Sequence, residues 1–367
     1  MKTIRRLIYK EVVAAVLFVA IGFLALFFFF DFVDELPNVG KGVSPYRLTQ
    51  ALVFVGLLVP SHLYELMPIA VLIGTIFVMA RLAQSSEYTI LRTSGLGPWR
   101  ALRTLLVLGL MFTLLTFAAG DYVAPVADRT AQLLKARLEG RISVGQTGAW
   151  LKERQAYSSY SVNVNALTPD GNMQGVRIFE ADSRGFLISV TQSQRARFDE
   201  GAWVLQDAER REFAPPGSKD QAHVERTKLP QLRWPTDISA EMVSVALLKP
   251  DRMGTIDLFQ YIRHLEANGQ TSQRYEIEFW RKVFYPLSCM VMVVLALPFA
   301  YLHFRSGGIT TYVFGGVLVG ISFFLLNNVF GYIGNIRNWL PWLTAASPGL
   351  IYTFLSLGAF GWLVLRR

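Results

Sequence analysis

The sequence has 367 residues, of which 52% are hydrophobic and only 17% are charged, with a formal net charge of +9. Because a soluble protein of this size has about 25% charged residues, the composition excludes an ordinary soluble domain. Long runs without any charge lie at 12–30, 66–80, 104–120, 283–302, 306–336 and 338–365. A membrane-spanning helix needs about 20 mostly apolar residues and tolerates charges near its ends. We therefore predict six spans, at about 10–31, 58–82, 102–123, 281–303, 309–332 and 340–364.

The first apolar run follows a basic N-terminal stretch, as it would in a secretory signal peptide. The run at 12–30 is longer than the usual apolar core of such a peptide. No small-x-small cleavage pattern follows it, only "FDFVDELP". We therefore predict that this segment is a retained first span.

Basic residues near the span ends predict the orientation, because Lys and Arg collect on the cytoplasmic side of a membrane. One side carries the basic N-terminus, Arg81, Arg92, Arg100, Arg103, Arg305, Arg366 and Arg367. The other side carries Asp31, Asp34 and Glu35, with Lys41 and Arg47 as the nearby bases. We predict that both termini are cytoplasmic and that the charged segment 121–282 lies outside. The positive charge is then largely a topology signal, so we expect no nucleic acid partner.

The segment between the second and third spans, "SSEYTILRTSGLGPWR" at 85–100, is longer than a simple connection. Ser85 or Ser86 suits the N-cap of a short helix, and Gly95 with Pro98 suits its end. One face of this helix carries Glu87, Ile90, Leu91 and Ser94. Such a helix either inserts into a groove of a cytoplasmic partner or lies on the lipid surface.

The outer segment has the shorter period of β-strands. The predicted strands are 156–164, 176–181, 186–192, 195–199 and 202–207, and turn sequences separate most of them. Short strands at this spacing indicate an antiparallel sandwich or open barrel. A helix follows, with Leu258, Tyr261, Ile262 and Leu265 on one face and Gly269 as its stop. The layout is three spans, an all-β domain and three more spans.

Motifs for several kinds of chemistry are missing from the sequence. It contains no G-x-x-x-x-G-K-[ST] nucleotide loop, no H-E-x-x-H or paired-cysteine metal motif and no G-x-S-x-G nucleophile motif. An intramembrane hydrolase would need Ser, Asp or His facing inward within the spans, and the spans contain almost none. These absences make an enzyme the least favoured class.

Polar residues at the outer ends of the spans are candidates for function. Glu65 is near the outer end of the second span, where a carboxylate buried in lipid would be functional and one at the interface would not. Arg281 and Lys282 are at the outer mouth of the fourth span. They either anchor that span at the interface or attract an anion such as a phosphate. On the second interpretation, Arg137 and Arg141 belong to the same cationic rim.

An apolar stripe recurs on the fifth span. Phe323, Leu326 and Phe330 follow an i, i+3, i+7 pattern and so share one face of that helix. Such a stripe faces lipid or packs against a neighbouring helix, or it lines a path for a lipid. The pattern alone does not choose among these.

Three segments resemble the lipopolysaccharide export permease family, most closely its G-type subunit. They are "MARLAQSSEYTILRTSGLGPWR" at Met79–Arg100, "GDYVAPVADRTAQLLKAR" at Gly120–Arg137 and "RYEIEFWRKVFYPLSCMVMVVLALPF" at Arg274–Phe299. The resemblance extends over essentially the whole chain. It implies a bacterial inner-membrane protein with a periplasmic β-jelly-roll-like domain. That protein takes part in ATP-driven extraction of lipopolysaccharide and its transfer to a periplasmic protein bridge.

The resemblance also implies partners for the chain. They are an F-type permease subunit, a cytosolic ATPase homodimer, a single-span C-type subunit, the bridge protein and lipopolysaccharide. The chain would be no enzyme and would bind no cofactor, because ATP would bind to the separate ATPase. The alternative is a membrane scaffold whose β domain tethers periplasmic partners without moving lipid.

The resemblance also implies roles for particular residues. Segment 86–95 would be the coupling helix, with its ATPase contacts made by Glu87, Tyr88, Ile90, Leu91 and Arg92. Candidate lipopolysaccharide contacts are Lys41, Arg137, Arg281, Phe323, Leu326 and Phe330. Related permeases often place lysines at the outer end of the first span, where this chain has Asp31. Arg137 is therefore the main candidate for the contact with the lipid phosphates. No catalytic or metal-binding residue is expected.

The predicted domains follow this layout. Residues 1–125 hold the first three spans and the coupling helix, and 126–255 hold the β domain. Residues 256–367 hold a connecting helix and the last three spans.

Overall fold

The computed structural model describes residues 2–40, 47–139, 148–155, 157–168, 171–214, 224–240, 242–243, 250–301 and 308–362. The chain forms two compact units. The helical unit comprises Met1–Asp34, Val55–Ala127 and Gln273–Arg367, and the β unit comprises Glu35–Phe54 and Asp128–Ser272. The domain boundaries predicted from the sequence stay predictions.

The described helices are α1 Lys2–Glu35, α2 Leu48–Gln84, α3 Glu87–Thr93, α4 Pro98–Ala118, α5 Ala124–Glu139, α6 Thr255–Ala267, α7 Gln273–Phe284, α8 Ser288–Ala296, α9 Ile309–Arg337 and α10 Pro341–Phe360. In the described chain, five helical stretches are long and apolar enough to cross a membrane. They are Ile4–Asn38, Leu48–Gln84, Pro98–Lys135, Ile309–Arg337 and Pro341–Phe360. A sixth span is formed by Gln273–Phe284 and Ser288–Tyr301 when this pair, bent by 47°, is counted as one. The predicted class, a membrane helical protein with an inserted β domain, is confirmed.

The bend in the fourth span has a local cause. Pro286 lies between α7 and α8, and proline has no N–H to donate to the helical ladder. The Thr113 hydroxyl of α4 donates a hydrogen bond to the Pro286 carbonyl over 3.1 Å. The break is thus held by a neighbouring helix.

A seam of small and branched residues joins α1 to α2. Ile8, Val12, Val16 and Ala20 recur every four residues on α1, and all four are buried. On α2, Gly74 faces Val16 so closely that an added Cβ would lie 2.7 Å from the Val16 backbone nitrogen. Close approach through small residues is how helices associate in lipid, where the hydrophobic effect between helices is weak.

The β unit contains six described strands: β1 Ala149–Arg154, β2 Ser158–Leu167, β3 Met173–Asp182, β4 Leu187–Asp199, β5 Ala202–Phe213 and β6 Val224–Pro235. All neighbours are antiparallel, and the strands follow one another in sequential order in one sheet. The described strands therefore form a meander, without the crossover connections that define a jelly roll. The predicted inserted β domain is present, and its strand order is simpler than the family resemblance implied.

Individual strands differ from their predicted bounds. The predicted strands 186–192 and 195–199 form the single strand β4, and the β4–β5 pairing is irregular at the predicted break. Ser193 lies there, and its hydroxyl hydrogen-bonds to the carbonyls of Arg195 and Gln206. Strands β1 and β6 were not predicted. Pro230 in β6 is tolerated because the register passes from Leu229 to Gln231 without pairing it.

The core of the β unit centres on Trp203 of β5. This side chain is 0% exposed, and its indole N–H donates a 2.7 Å hydrogen bond to the carbonyl of Ile238. The segment after β6 is thereby held to the sheet. The predicted helix at Leu258–Leu265 is α6, whose four predicted apolar residues are all buried. Gly269 beyond it has φ +63°, which suits a helix stop.

Candidate functional site

The short helix α3 lies between the long helices α2 and α4, as predicted, but it begins in a different way. Ser86 adopts the left-handed conformation with φ +59° and makes no side-chain cap hydrogen bond. The Ser85 hydroxyl donates to the carbonyls of Arg81 and Leu82, so it closes the end of α2. Ser86 therefore occupies the predicted N-cap position, but its side chain does not cap the helix.

The buried and exposed sides of α3 differ from those predicted from the sequence. Tyr88 is only 3% exposed and packs edge-on against Tyr301 with the ring centroids 5.2 Å apart. Burial raises the pKa of the Tyr88 hydroxyl above its ordinary value, so this group stays neutral. Leu91 is partly buried and packs on the same core. Tyr88 thus packs α3 onto its own helical unit, and the prediction that Tyr88, Ile90 or Leu91 fills a groove of the ATPase stays a prediction.

The exposed part of α3 is small and amphipathic. Glu87 and Arg92 are exposed, and Ile90 is 63% exposed. The Arg92 guanidinium also lies 5.6 Å from the centre of the Tyr301 ring. The exposed side chains of α3 thus include one carboxylate, one aliphatic side chain and one guanidinium, beside the hydroxyls of Thr89 and Thr93.

Two adjacent cations, Arg281 and Lys282, lie just before the bend of the fourth span. Lys282 is only 6% exposed, and its ammonium donates a 3.0 Å hydrogen bond to the carbonyl of Gly120. Gly120 lies in the π-helical turn Ala119–Val123, which joins α4 to α5. π-Turns are rare and often mark functional positions. Lys282 therefore joins the irregular turn of one span to the bend of another.

Arg281 is also bonded within the helical unit. Its guanidinium donates to the Glu278 carboxylate over 2.9 Å and to the Asn327 carbonyl of α9 over 3.0 Å. Both cations thus connect helices of this chain, which is neither of the two roles weighed from the sequence. An anion that approached Arg281 would compete with Glu278.

The apolar stripe on α9 faces inward. Phe323 is 1% exposed, stacks on Tyr285 at 6.0 Å and meets Tyr352 edge-on at 5.1 Å. Leu326 is half-buried against the same core, and Phe330 is half-buried beside Trp339. Side chains of its own chain therefore enclose Phe323, and the prediction that the stripe lines a lipid path stays a prediction. The exposed face of α9 carries Phe314, Leu318, Ile321, Leu325 and Val329.

Asp31 of α1 pairs with His62 of α2. The carboxylate and the imidazole nitrogen are 2.6 Å apart, and the ring of Phe27 lies 5.0 Å from the His62 ring. Sequence reasoning missed this pair because the residues are 31 positions apart and lie on different helices. The sequence indicated only that both residues lie near the outer ends of their predicted spans. Glu65 is exposed, and its backbone carbonyl accepts a hydrogen bond from the Tyr285 hydroxyl.

Three predicted cations lie wholly or partly outside the described residues. Lys41 lies outside the described residues, and so does Arg141. Arg137 belongs to the helical backbone of α5, and its side chain is not among those described. In the part of the chain that the structure describes, no group of three His, Cys, Asp or Glu side chains could hold a metal ion.

Together these features define a multi-pass membrane protein with an inserted β-sheet unit. Its spans flank a β-sheet unit, and a short exposed helix follows the second span. Comparison with known proteins identifies the family, because the family model "Lipopolysaccharide export system permease LptF/LptG" matches residues 6–366. The chain belongs to this family, and it is a multi-pass inner-membrane protein.

Two curated relatives are similar to this chain along its full length. The Lipopolysaccharide export system permease protein LptG of Haemophilus influenzae is 26% identical over 369 residues, covering 100% of this chain and 99% of that protein. The protein of the same name from Escherichia coli strain K12 is 26% identical over 366 residues, covering 99% and 98% respectively. The resemblance to the G-type permease is thereby confirmed.

Proposed function

We propose that the chain is the membrane subunit of an ATP-driven exporter that extracts lipopolysaccharide from the inner membrane and passes it to a periplasmic protein bridge. The observation that carries this is the full-length similarity to G-type permeases, in a chain without a nucleotide-binding loop. Energy must then come from another protein. The proposed partners are an F-type permease, two copies of a cytosolic ATPase, a single-span C-type subunit and the bridge protein.

The helix α3 is the proposed point of energy transfer. Its exposed residues Glu87, Ile90 and Arg92 meet the ATPase, while Tyr88 holds the other side of α3 against Tyr301. Tyr301 ends the bent fourth span. A push on α3 therefore reaches this span through a buried contact between two aromatic rings, and packed side chains transmit such displacements well. In this topology α3 and both termini are cytoplasmic.

We expect Glu87→Lys to reduce ATP-dependent release of lipopolysaccharide at least tenfold. Charge reversal replaces a favourable contact with repulsion, and repulsion between partners costs several kcal/mol. The measurement is lipid release from proteoliposomes holding the co-expressed complex, alongside recovery of the ATPase with the permease. Glu266→Lys, at an exposed position of α6, is the matched control and should release lipid normally.

Transport by Glu87→Lys at the control level would refute the coupling role of α3. Co-purification separates the exporter from the scaffold alternative. If the chain is a scaffold, no P-loop ATPase would co-purify with the wild-type chain, while periplasmic partners would still bind it.

The phosphates of lipopolysaccharide require cations along their path. Leaving water without compensation is prohibitive for a phosphate, whereas charge-assisted hydrogen bonds from Arg and Lys offset that cost. We propose Arg137 as the principal contact and Lys41 as a second. Arg281 is the weakest of the three, because Glu278 already accepts a hydrogen bond from it.

We expect Arg137→Glu to lower photo-crosslinking of lipopolysaccharide to the permease at least fivefold. The matched control is Arg184→Glu, an exposed arginine in the turn between β3 and β4, which should leave crosslinking unchanged. The readout is the lipopolysaccharide-shifted band in cells that carry a crosslinking residue at one fixed position of α5. Equal bands for the two variants would exclude Arg137 from the lipid path.

A further inference from the structure

The β unit contains a polar pocket with a volume of about 360 Å³. Its walls come from four parts of the sheet: Thr168 and Asn172 at the β2–β3 turn, Gln174 of β3, Arg195 and Arg197 of β4, and Gln206 of β5. Small-molecule sites in proteins measure about 300–1,000 Å³. The pocket is therefore large enough for a small ligand.

Three polar side chains form a row across this pocket. In the sheet register Gln174 is paired with Arg195, and Arg195 is paired with Gln206. Directly paired residues point to the same side of a sheet, with their Cβ atoms about 4.5–5.5 Å apart. The neighbouring Met173 and Ala196 belong to the buried core of the β unit, so the row faces away from that core. The row presents one guanidinium between two amides.

The polar groups of this row are available to a ligand. Within the part of the chain that the structure describes, no hydrogen bond or ion pair engages the side chains of Gln174, Arg195 or Gln206. Arg197 differs, because its guanidinium lies 3.4 Å from the carboxylate of Asp199. Among the described residues, no Asp or Glu lines the pocket. Its positive charge is therefore centred on Arg195.

An interruption of the sheet fixes the position of this row. The pairing of β4 with β5 stops at Gln192 and Glu209 and resumes at Arg195 and Gln206. In the gap, the Ser193 hydroxyl lies 2.7 Å from the Arg195 carbonyl oxygen and 2.6 Å from that of Gln206. Irregular pairing redirects side chains and is common next to functional sites. One hydroxyl thus joins the backbones of two members of the row.

We propose that this pocket binds an acidic sugar, a ring that carries a carboxylate or a phosphate. The Arg195 guanidinium binds the anionic group through two parallel hydrogen bonds. The amides of Gln174 and Gln206 both donate and accept, which matches the adjacent hydroxyls of a sugar. An acyl chain would find no apolar surface, because Met173 and Ala196 are only 0% and 1% exposed. The sugar belongs to a soluble saccharide or to lipopolysaccharide, and the second source rests on the proposed function.

Saturation-transfer NMR of the full-length chain in detergent tests the proposal. The probes are glucose-6-phosphate, glucuronic acid and glucose. We expect each acidic sugar to give about fivefold more signal than glucose, because only the acidic sugars engage the guanidinium. Arg195→Gln should lose this preference, Arg195→Lys should keep part of it, and Gln206→Leu should weaken binding of both acidic sugars. Arg177→Gln, at an exposed position of β3 outside the pocket, is the control and should bind like wild type.

Four results would overturn the proposal. The first is an equal signal from glucose and glucose-6-phosphate. The second is inorganic phosphate competing as well as glucose-6-phosphate does, which would show an anion site that does not recognise the sugar. The third is displacement of glucose-6-phosphate by tetraglutamate, which would assign the pocket to an acidic peptide. The fourth is an equal loss of binding in Arg177→Gln and Arg195→Gln.

A photo-crosslinking residue in place of Gln231, the β6 partner of Gln206, distinguishes the two sources in cells. A lipopolysaccharide-shifted band that Arg195→Gln abolishes would support lipopolysaccharide as the source. No such band, with sugar binding in detergent intact, would support a soluble acidic sugar. The NMR assay needs neither the ATPase nor transport. Failure of the sugar site is therefore distinguishable from failure of the proposed function.

Discussion

Trp203→Ala should destabilise the β unit by about 3–5 kcal/mol, the usual cost of truncating a buried tryptophan. The side chain is fully buried, contacts Phe198 at 5.1 Å between ring centroids and donates its N–H to Ile238. The variant therefore opens a cavity and also leaves a buried carbonyl without its donor. Because most domains are stable by only about 5–15 kcal/mol, this loss is a large fraction of the total.

Hydrogen exchange of the full-length chain in detergent measures this effect. Amides in β4 and β5 should exchange much faster in Trp203→Ala, and Trp203→Phe should fall between the variant and wild type. The control is Trp150→Ala in β1, where the indole is 53% exposed and stacks on Phe179. If the two alanine variants exchange alike, Trp203 is not the centre of this core.

Gly74→Leu should separate α1 from α2 and lower the thermal stability of the helical unit. Its Cβ would lie 2.7 Å from a backbone nitrogen of Val16, and a backbone cannot rotate away as a flexible side chain can. Overpacking of this kind costs about 1–3 kcal/mol or more. The thermal midpoint in detergent should fall by several degrees, and lipid release should fall with it.

The same helix supplies the control for this substitution. Gly56 of α2 has nothing within 4 Å of an added Cβ, so Gly56→Leu should leave the midpoint close to wild type. Midpoints that agree for the two leucine variants would mean that α1 and α2 do not need the close approach at Gly74.

The β strands were only partly predictable. Strands β2, β3 and β5 were visible in the sequence because turn residues bound short runs rich in strand-forming side chains. Strand β6 was missed because Pro230 and several charges argue against a strand, and its fit depends on a register that skips the proline. The break predicted within β4 is a local irregularity around Ser193, where pairing with β5 resumes after a short gap.

The residues that form the sites were the least predictable. The sequence correctly placed Phe323, Leu326 and Phe330 on one face of a helix. It did not show that this face points inward. In a membrane both the packed face and the lipid face of a helix are apolar, so hydrophobicity does not distinguish them. The hydrogen bond from Lys282 to Gly120 joins residues 162 positions apart, which no local pattern encodes.

The sequence by itself determined that this chain crosses a membrane, roughly where each span lies, that a β domain is inserted, and which family the chain belongs to. These follow from local physics and from long specific motifs: a bilayer dictates the length and composition of a span, and turn residues interrupt strands. Only the tertiary structure decided that Tyr88 and Phe323 face inward, that Arg281 and Lys282 join helices, and that Asp31 pairs with His62. Each of these depends on how helices distant in sequence rotate and pack against one another, and that arrangement is set by contacts across the whole unit.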